Sequence, residues 1–295
     1  LPEFKIGAEP VRAVEIHDFE NPTISTAELR DWLRGIPTGS DQTTTLDACL
    51  TQGCDFLEVW GGAGRTTQAV THRGGRALVI GLAWGHDLGE ARQRAYLYAL
   101  MKRVKPRYVW LAFPCTAFCC WVRLNRSQGC DLAARQREGK RHLRTTLQAA
   151  QLQRSLGGHV ALENPLTSLA WRDPAVAAEL AQPPWLSVRL DQCSVGLTGP
   201  GGGLHLKPTA IRTTCPAMAP GDHAHETVEG KATGLSAMYS PQLARRIANV
   251  GVPTKIPGGG SKSQSPDTRE PPPKKKQRQR TTWNSFWPTN GKKGG

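Results

Sequence analysis

No apolar run in this chain approaches the ~20 residues that a membrane-spanning helix needs, so no membrane partner is expected. Acidic residues are scarce: 24 Asp and Glu stand against 38 Lys and Arg, leaving a net charge of +14. That imbalance favours polyanionic partners, nucleic acid foremost. Aromatic residues make up only 6% of the chain, whereas Gly numbers 31 and Pro 22, so loops are abundant. The first residues, Leu1-Pro2-Glu3-Phe4, have neither the charged nor the apolar region of a secretory signal. They also lack an initiator Met, and the chain reads as a fragment or as a piece cut from a longer polyprotein. Eight cysteines are present, but their spacing gives no disulfide framework. A reducing, intracellular setting is therefore expected.

The charge is unevenly distributed. From Gly251 to Gly295, ten Lys and Arg face only Asp267 and Glu270, so eight of the fourteen net charges fall there. Residues 253–295 contain a Gly-Ser linker, three consecutive prolines and the run Lys274-Lys275-Lys276-Gln277-Arg278-Gln279-Arg280. This composition reads as a disordered basic tail suited to nuclear import or nucleic-acid contact. Residues 1–48 read as an irregular segment with one short helix, started by a capping box of Ser25 and Glu28.

Between these ends, residues 49–252 alternate strand and helix patterns. Strands are expected at 56–59, 77–82, 108–113, 159–162 and 186–191. Helices are expected at 66–72, 90–104, 132–156, 175–181 and 240–250. Such alternation implies an α/β fold with a doubly wound, mostly parallel sheet. Ligands of such sheets sit beyond the carboxyl ends of the strands.

Three motifs fall at strand ends. Glu58-Val59-Trp60-Gly61-Gly62-Ala63-Gly64 ends the first strand in a glycine turn, where backbone can approach a ligand and a helix N-terminus can donate N–H groups. The turn lacks the full Gly-x-Gly-x-x-Gly of a dinucleotide site, which disfavours NAD. Asp87, after the second strand, is a candidate for ribose hydroxyls. Phe113-Pro114-Cys115 ends the third strand with a thiol that Arg123 and Arg126 could help to ionise. Cys119 and Cys120 read as small apolar fillers. Glu163-Asn164-Pro165 follows the fourth strand, where a partly desolvated carboxyl would suit proton or hydrogen-bond donation. As zinc ligands, Cys193, Cys215, His223 and His225 have a spacing that fits no regular site; no metal is expected.

Taken together, these motifs resemble the C5-cytosine DNA methyltransferases, over roughly residues 53–250. Trp60-Gly61-Gly62-Ala63-Gly64 looks like that family's aromatic-x-Gly-x-Gly turn, Phe113-Pro114-Cys115 like its Pro-Cys loop, and Glu163-Asn164-Pro165 like its Glu-Asn-Val motif. The segment from Tyr239 to Ala248 is similar to the helix that closes the domain near the cofactor. The resemblance implies a class I methyltransferase (Rossmann-like) fold and S-adenosylmethionine as cofactor, held by Glu58, Trp60, Gly62, Gly64, Asp87 and Pro114. It implies Cys115 as nucleophile on cytosine C6 and Glu163 as the group engaging N3 and the exocyclic amine. Asn164, Arg123, Lys207 and Arg212 would contact the substrate, DNA ahead of RNA, in a nuclear setting. The chain departs from the family in lacking a Gln-x-Arg-x-Arg motif, with Lys207-Pro208-Thr209-Ala210-Ile211-Arg212 in that region, and in having no room for a target-recognition domain. Segments around Asp191-Gln192-Cys193 also look like methyltransferase-like parts of retroelement or phage polyproteins. The reading from a different class is a catalytically silent nucleic-acid-binding module; an RNA cytosine methyltransferase is the nearest enzymatic variant.

Overall fold

The computed structural model describes residues 24–34, 42–119, 131–198, 203–218 and 239–251. The chain divides into two units, Leu1–Thr254 and Lys255–Gly295, and all described residues belong to the first. The basic tail therefore lies outside the described residues.

Seven helices are described: α1 (Thr26–Leu33), α2 (Thr43–Gln52), α3 (Arg65–Thr71), α4 (Ala91–Val104), α5 (Leu132–Ser155), α6 (Pro174–Leu180) and α7 (Pro241–Gly251). Among the described residues, six strands form one sheet: β1 (Phe56–Val59), β2 (Ala77–Ile80), β3 (Tyr108–Leu111), β4 (His159–Pro165), β5 (Leu186–Asp191) and β6 (Pro208–Thr213). Their order is β2-β1-β3-β4-β6-β5. The first four strands pair in parallel, and β6 runs antiparallel between β4 and β5. The fold is α/β with a mixed sheet.

The period-2 alternation of strand side chains sorts the core into two layers. Leu57, Val59, Leu78, Ile80, Val109, Leu111, Val160 and Leu162 face one side, packed with α1, α2, α4, α5 and α6. Phe56, Ala77, Tyr108, Trp110, Ala161 and Ile211 face the other, under Val70 of α3 and Leu243 and Ile247 of α7. Both faces are covered, which explains why β1, β2 and β3 are buried at every position and why β2 and β3 read as unbroken apolar runs, with Glu58 the one charged residue of β1.

Two elements differ from the sequence reading. Helix α2 is not expected, because residues 1–48 read as irregular with one short helix; burial of Leu46 and Cys49 in the core stabilises it. Just before it, the Gln42 amide donates to the Val79 carbonyl at 3.0 Å and accepts from the Val79 N–H at 2.8 Å. It thereby occupies the open edge of β2. Strand β6 is not expected either, and it has a consequence for β4. Pairing of Glu163 with Ile211 and of Asn164 with Ala210 carries β4 through Pro165, so Glu163 and Asn164 lie within a strand rather than after one. The Ser25–Glu28 capping box at α1 forms as expected. Asp131 caps α5, its Oδ1 accepting from the Ala134 N–H at 2.9 Å, an interaction worth ~1 kcal/mol.

Candidate functional site

The chain leaves β1 for β2 on one side and returns to β3 on the other, so the strand order reverses between β1 and β3. A crevice forms outside the carboxyl ends at such a reversal. The glycine turn follows β1 there, and Phe113-Pro114-Cys115 follows β3.

The turn is tightly built. The Gly61 N–H donates to the Ile80 carbonyl at 3.2 Å, and the Gly64 N–H donates to the Gly61 carbonyl at 2.7 Å. A Cβ on Gly61 would lie 2.4 Å from Val79 Cγ2 and 2.9 Å from Glu58 Cγ, so no larger residue fits. Trp60 has φ +58°, left-handed and costly for an aromatic residue. Its ring meets His142 of α5 edge-on at 5.9 Å. Trp60 Nε1 and His142 Nδ1 are both buried without a hydrogen-bond partner. The Trp84 indole N–H donates to the Gly62 carbonyl at 2.8 Å, and Leu82 beside it is 75% exposed.

Glu58 is fully buried on the α3 side of the sheet. Its Oε2 accepts from the Thr67 N–H at 2.9 Å and from the Thr67 hydroxyl at 2.7 Å. Burial raises its pKa from the usual carboxylate value to about 7, against the lowering effect of those bonds. Oε1 has no partner.

Cys115 is half-buried. Burial pushes its thiol above the ordinary value, and Cys119 and the Glu163 carboxylate add to this, while the Lys207 ammonium acts against them. The Glu163 carboxylate and the Lys207 ammonium thus each act on the Cys115 thiol. The geometry agrees, because Thr209 of β6 pairs with Pro165 and Lys207 precedes it at the carboxyl end of β4.

Glu163 shares the α3–α7 face with Trp110. Its Oε2 accepts from the Tyr239 hydroxyl at 3.0 Å, and that hydroxyl accepts from Trp110 Nε1 at 2.8 Å. Glu163 Oε1 is buried and has no partner. The Asn164 amide donates to the Phe113 carbonyl at 2.9 Å, joining the end of β4 to the Cys115 loop, while its own Oδ1 is unpaired. Helix α5 closes over that loop: a Cβ on Gly139 would lie 2.3 Å from Ala117 Cβ.

Other expected residues fall elsewhere. Arg212 pairs with Leu162 in register, which puts it on the opposite face from Glu163, where its guanidinium lies 5.6 Å from the Trp171 ring. Asp87 is exposed, and its Oδ1 accepts from the Gly89 N–H at 2.8 Å in a local turn. Arg123, Arg126, Cys120, His223 and His225 lie outside the described residues, while Cys193 and Cys215 are buried. No group of three or more potential metal ligands occurs among the described residues. No helix among them is long and apolar enough to cross a membrane.

Tyr239, Thr67 and His142 are site residues that sequence reasoning misses. Tyr239 falls in the closing motif, but a partner 76 positions away leaves no local signal. Comparison with known proteins found no matching family model and no matching curated protein. The fold and site define an α/β chain with polar and thiol groups gathered at a sheet reversal.

Proposed function

We propose that this chain is an S-adenosylmethionine-dependent methyltransferase acting on cytosine C5 of DNA. The observation that carries the reading is the unsatisfied buried acceptor Glu163 Oε1, on the strand that Asn164 ties to the Cys115 loop. A buried polar atom without a partner costs ~1–3 kcal/mol. A base offering an amino group to that edge would offset it.

The residues present suit the cofactor. Trp60, Gly62 and Gly64 shape the turn, Pro114 follows the neighbouring strand β3, and Glu58 anchors the first turn of α3 through Thr67. The unpaired Trp60 and His142 ring nitrogens are available to a polar ligand, and exposed Leu82 offers apolar surface. Asp87 fits least, because one of its carboxylate oxygens already serves its own turn.

When bound, S-adenosylmethionine supplies a methyl group on a positively charged sulfur. The chain's own work is then as follows. The Cys115 thiolate forms a bond to cytosine C6, and the ring's electron pair is displaced toward C5. Glu163 binds N3 and the exocyclic amine, stabilising the charge that develops. After the methyl joins C5, the C5 proton leaves and the C6–sulfur bond breaks, returning the thiolate. Lys207 favours the thiolate, and Asn164 holds the loop through the Phe113 carbonyl. The base must leave its stack, or be single-stranded from the start.

A second reading, a catalytically silent nucleic-acid-binding module, is favoured by the raised Cys115 thiol, which opposes thiolate formation at neutral pH. The deciding experiment is transfer from radiolabelled S-adenosylmethionine to single- and double-stranded DNA and RNA, beside Cys115→Ser. Label on cytosine C5 that disappears in the variant supports the enzyme. Label on RNA alone redirects the substrate. Cofactor binding by calorimetry without any label points to the silent module, and no cofactor binding overturns the methyltransferase reading.

A further inference from the structure

Helices α4 and α5 enclose a groove of about 240 Å³ lined by Ala91, Arg94, Tyr98, Arg141, Arg144 and Gln148, among others. Among the described residues, no carboxylate lines it. Arg94 Nη1 donates to the Gly89 carbonyl at 2.8 Å, and Arg141 Nη1 donates to the same oxygen at 3.2 Å. Two guanidinium groups thus converge on one neutral acceptor, with Arg144 lining the same groove. Like charges at this spacing repel. Burial holds Arg94 below its ordinary value and Arg141 and Arg144 act in the same direction, while Tyr98 and Asp87 oppose them. The first turn of α4 opens onto the groove at Ala91, and its N-cap Glu90 makes no side-chain capping bond, so N–H groups and the positive helix end add to the field.

We propose that this arginine groove binds the phosphodiester backbone of the nucleic acid, anchoring the strand outside the crevice that holds Cys115. An oxyanion would relieve the repulsion and accept from guanidinium forks suited to phosphate. The occupant is a nucleic acid because the groove is built on the helix that borders the candidate site: α5, which carries Arg141 and Arg144, also packs His142 on Trp60 and Gly139 on the Cys115 loop. The basic groove between α3 and α7, lined by Arg65, Arg73 and Arg245, is the comparison surface. The inference rests on the nucleic-acid part of the proposed function and is independent of methyl transfer.

The test is fluorescence anisotropy of labelled oligonucleotides with the full chain across a salt series, without cofactor. Arg141→Gln with Arg144→Gln should weaken binding and reduce the slope of log affinity against log salt by about 0.7–0.9 for each phosphate that the variant no longer neutralises. Arg141→Lys with Arg144→Lys should retain most of the slope, which separates missing charge from damaged packing. Arg73→Gln with Arg245→Gln, on the α3–α7 groove, should leave it unchanged. An unchanged slope in the Gln pair, or an equal reduction in the α3–α7 control, overturns the groove assignment while leaving the proposed function standing. Failure of the parent chain to bind any oligonucleotide, or binding only to vesicles of anionic lipid, overturns the nucleic-acid partner itself.

Discussion

Tyr239 donates its hydroxyl proton to Glu163 Oε2 at 3.0 Å and accepts from Trp110 Nε1 at 2.8 Å, so one buried phenol links the segment leading into α7 with β3 and β4. Tyr239→Phe removes both bonds and leaves the Trp110 N–H and the Glu163 oxygen unsatisfied. The expected cost is about 1–3 kcal/mol for each group left bare. Thermal melting should show a lowered Tm, and methyl transfer should fall because Glu163 loses its orientation. An unchanged Tm would mean that Tyr239 is not seated on Glu163.

Glu58 sets a pH dependence of stability. Its folded pKa of about 7 lies above its ordinary value of 4.5 because burial disfavours the charged form. Its contribution is therefore fully present below about pH 4.5 and is lost as the pH rises through 7. At ~1.4 kcal/mol per pKa unit, the loss is about 3 kcal/mol. Denaturant titrations of the parent and Glu58→Gln should show stabilities that diverge across this window, with the variant flatter. Parallel curves would exclude a raised Glu58 pKa.

Reactivity of Cys115 should follow its neighbours. In a Cys119→Ser background, which removes the other half-buried described thiol near it, alkylation rate against pH reports the Cys115 thiolate. Lys207→Gln should move that profile to higher pH and Glu163→Gln to lower pH, the directions in which the two charges act. Movement of both variants in one direction would show that the charges do not act on this thiol.

The glycine turn makes a graded prediction. Gly61→Ala forces a Cβ to within 2.4 Å of Val79 Cγ2 in a packed layer, and overpacking of this kind costs about 1–3 kcal/mol. Gly62→Ala meets open space and bears only the strain of φ +51°, about 1–2 kcal/mol. Chemical denaturation should rank Gly61→Ala as the more damaging. Equal costs would mean that backbone strain, not packing, governs the turn.

The buried parallel strands were legible because each is built on a short, mostly apolar run with glycine or proline nearby. The helices from α3 onward followed from apolar spacing and caps, usually within a residue or two. Strand β6 was hidden because Lys207-Pro208-Thr209-Ala210-Ile211-Arg212 has no strong strand pattern; it is held by pairing on both sides with β4 and β5. Helix α2 was hidden for the corresponding reason, since core packing of Leu46 and Cys49 outweighs three threonines.

The sequence by itself determined the α/β alternation, the positions of the glycine turn, Cys115 and Glu163, and the excess of positive charge, because these depend on local pattern and composition. The tertiary structure alone decided the mixed sheet, the partners of Glu163 and Glu58, the placement of Arg212 on the opposite face from Glu163, and the convergence of Arg94 with Arg141. Those relationships join residues far apart in the chain, and β pairing and helix packing bring them together without leaving a periodic trace in the sequence.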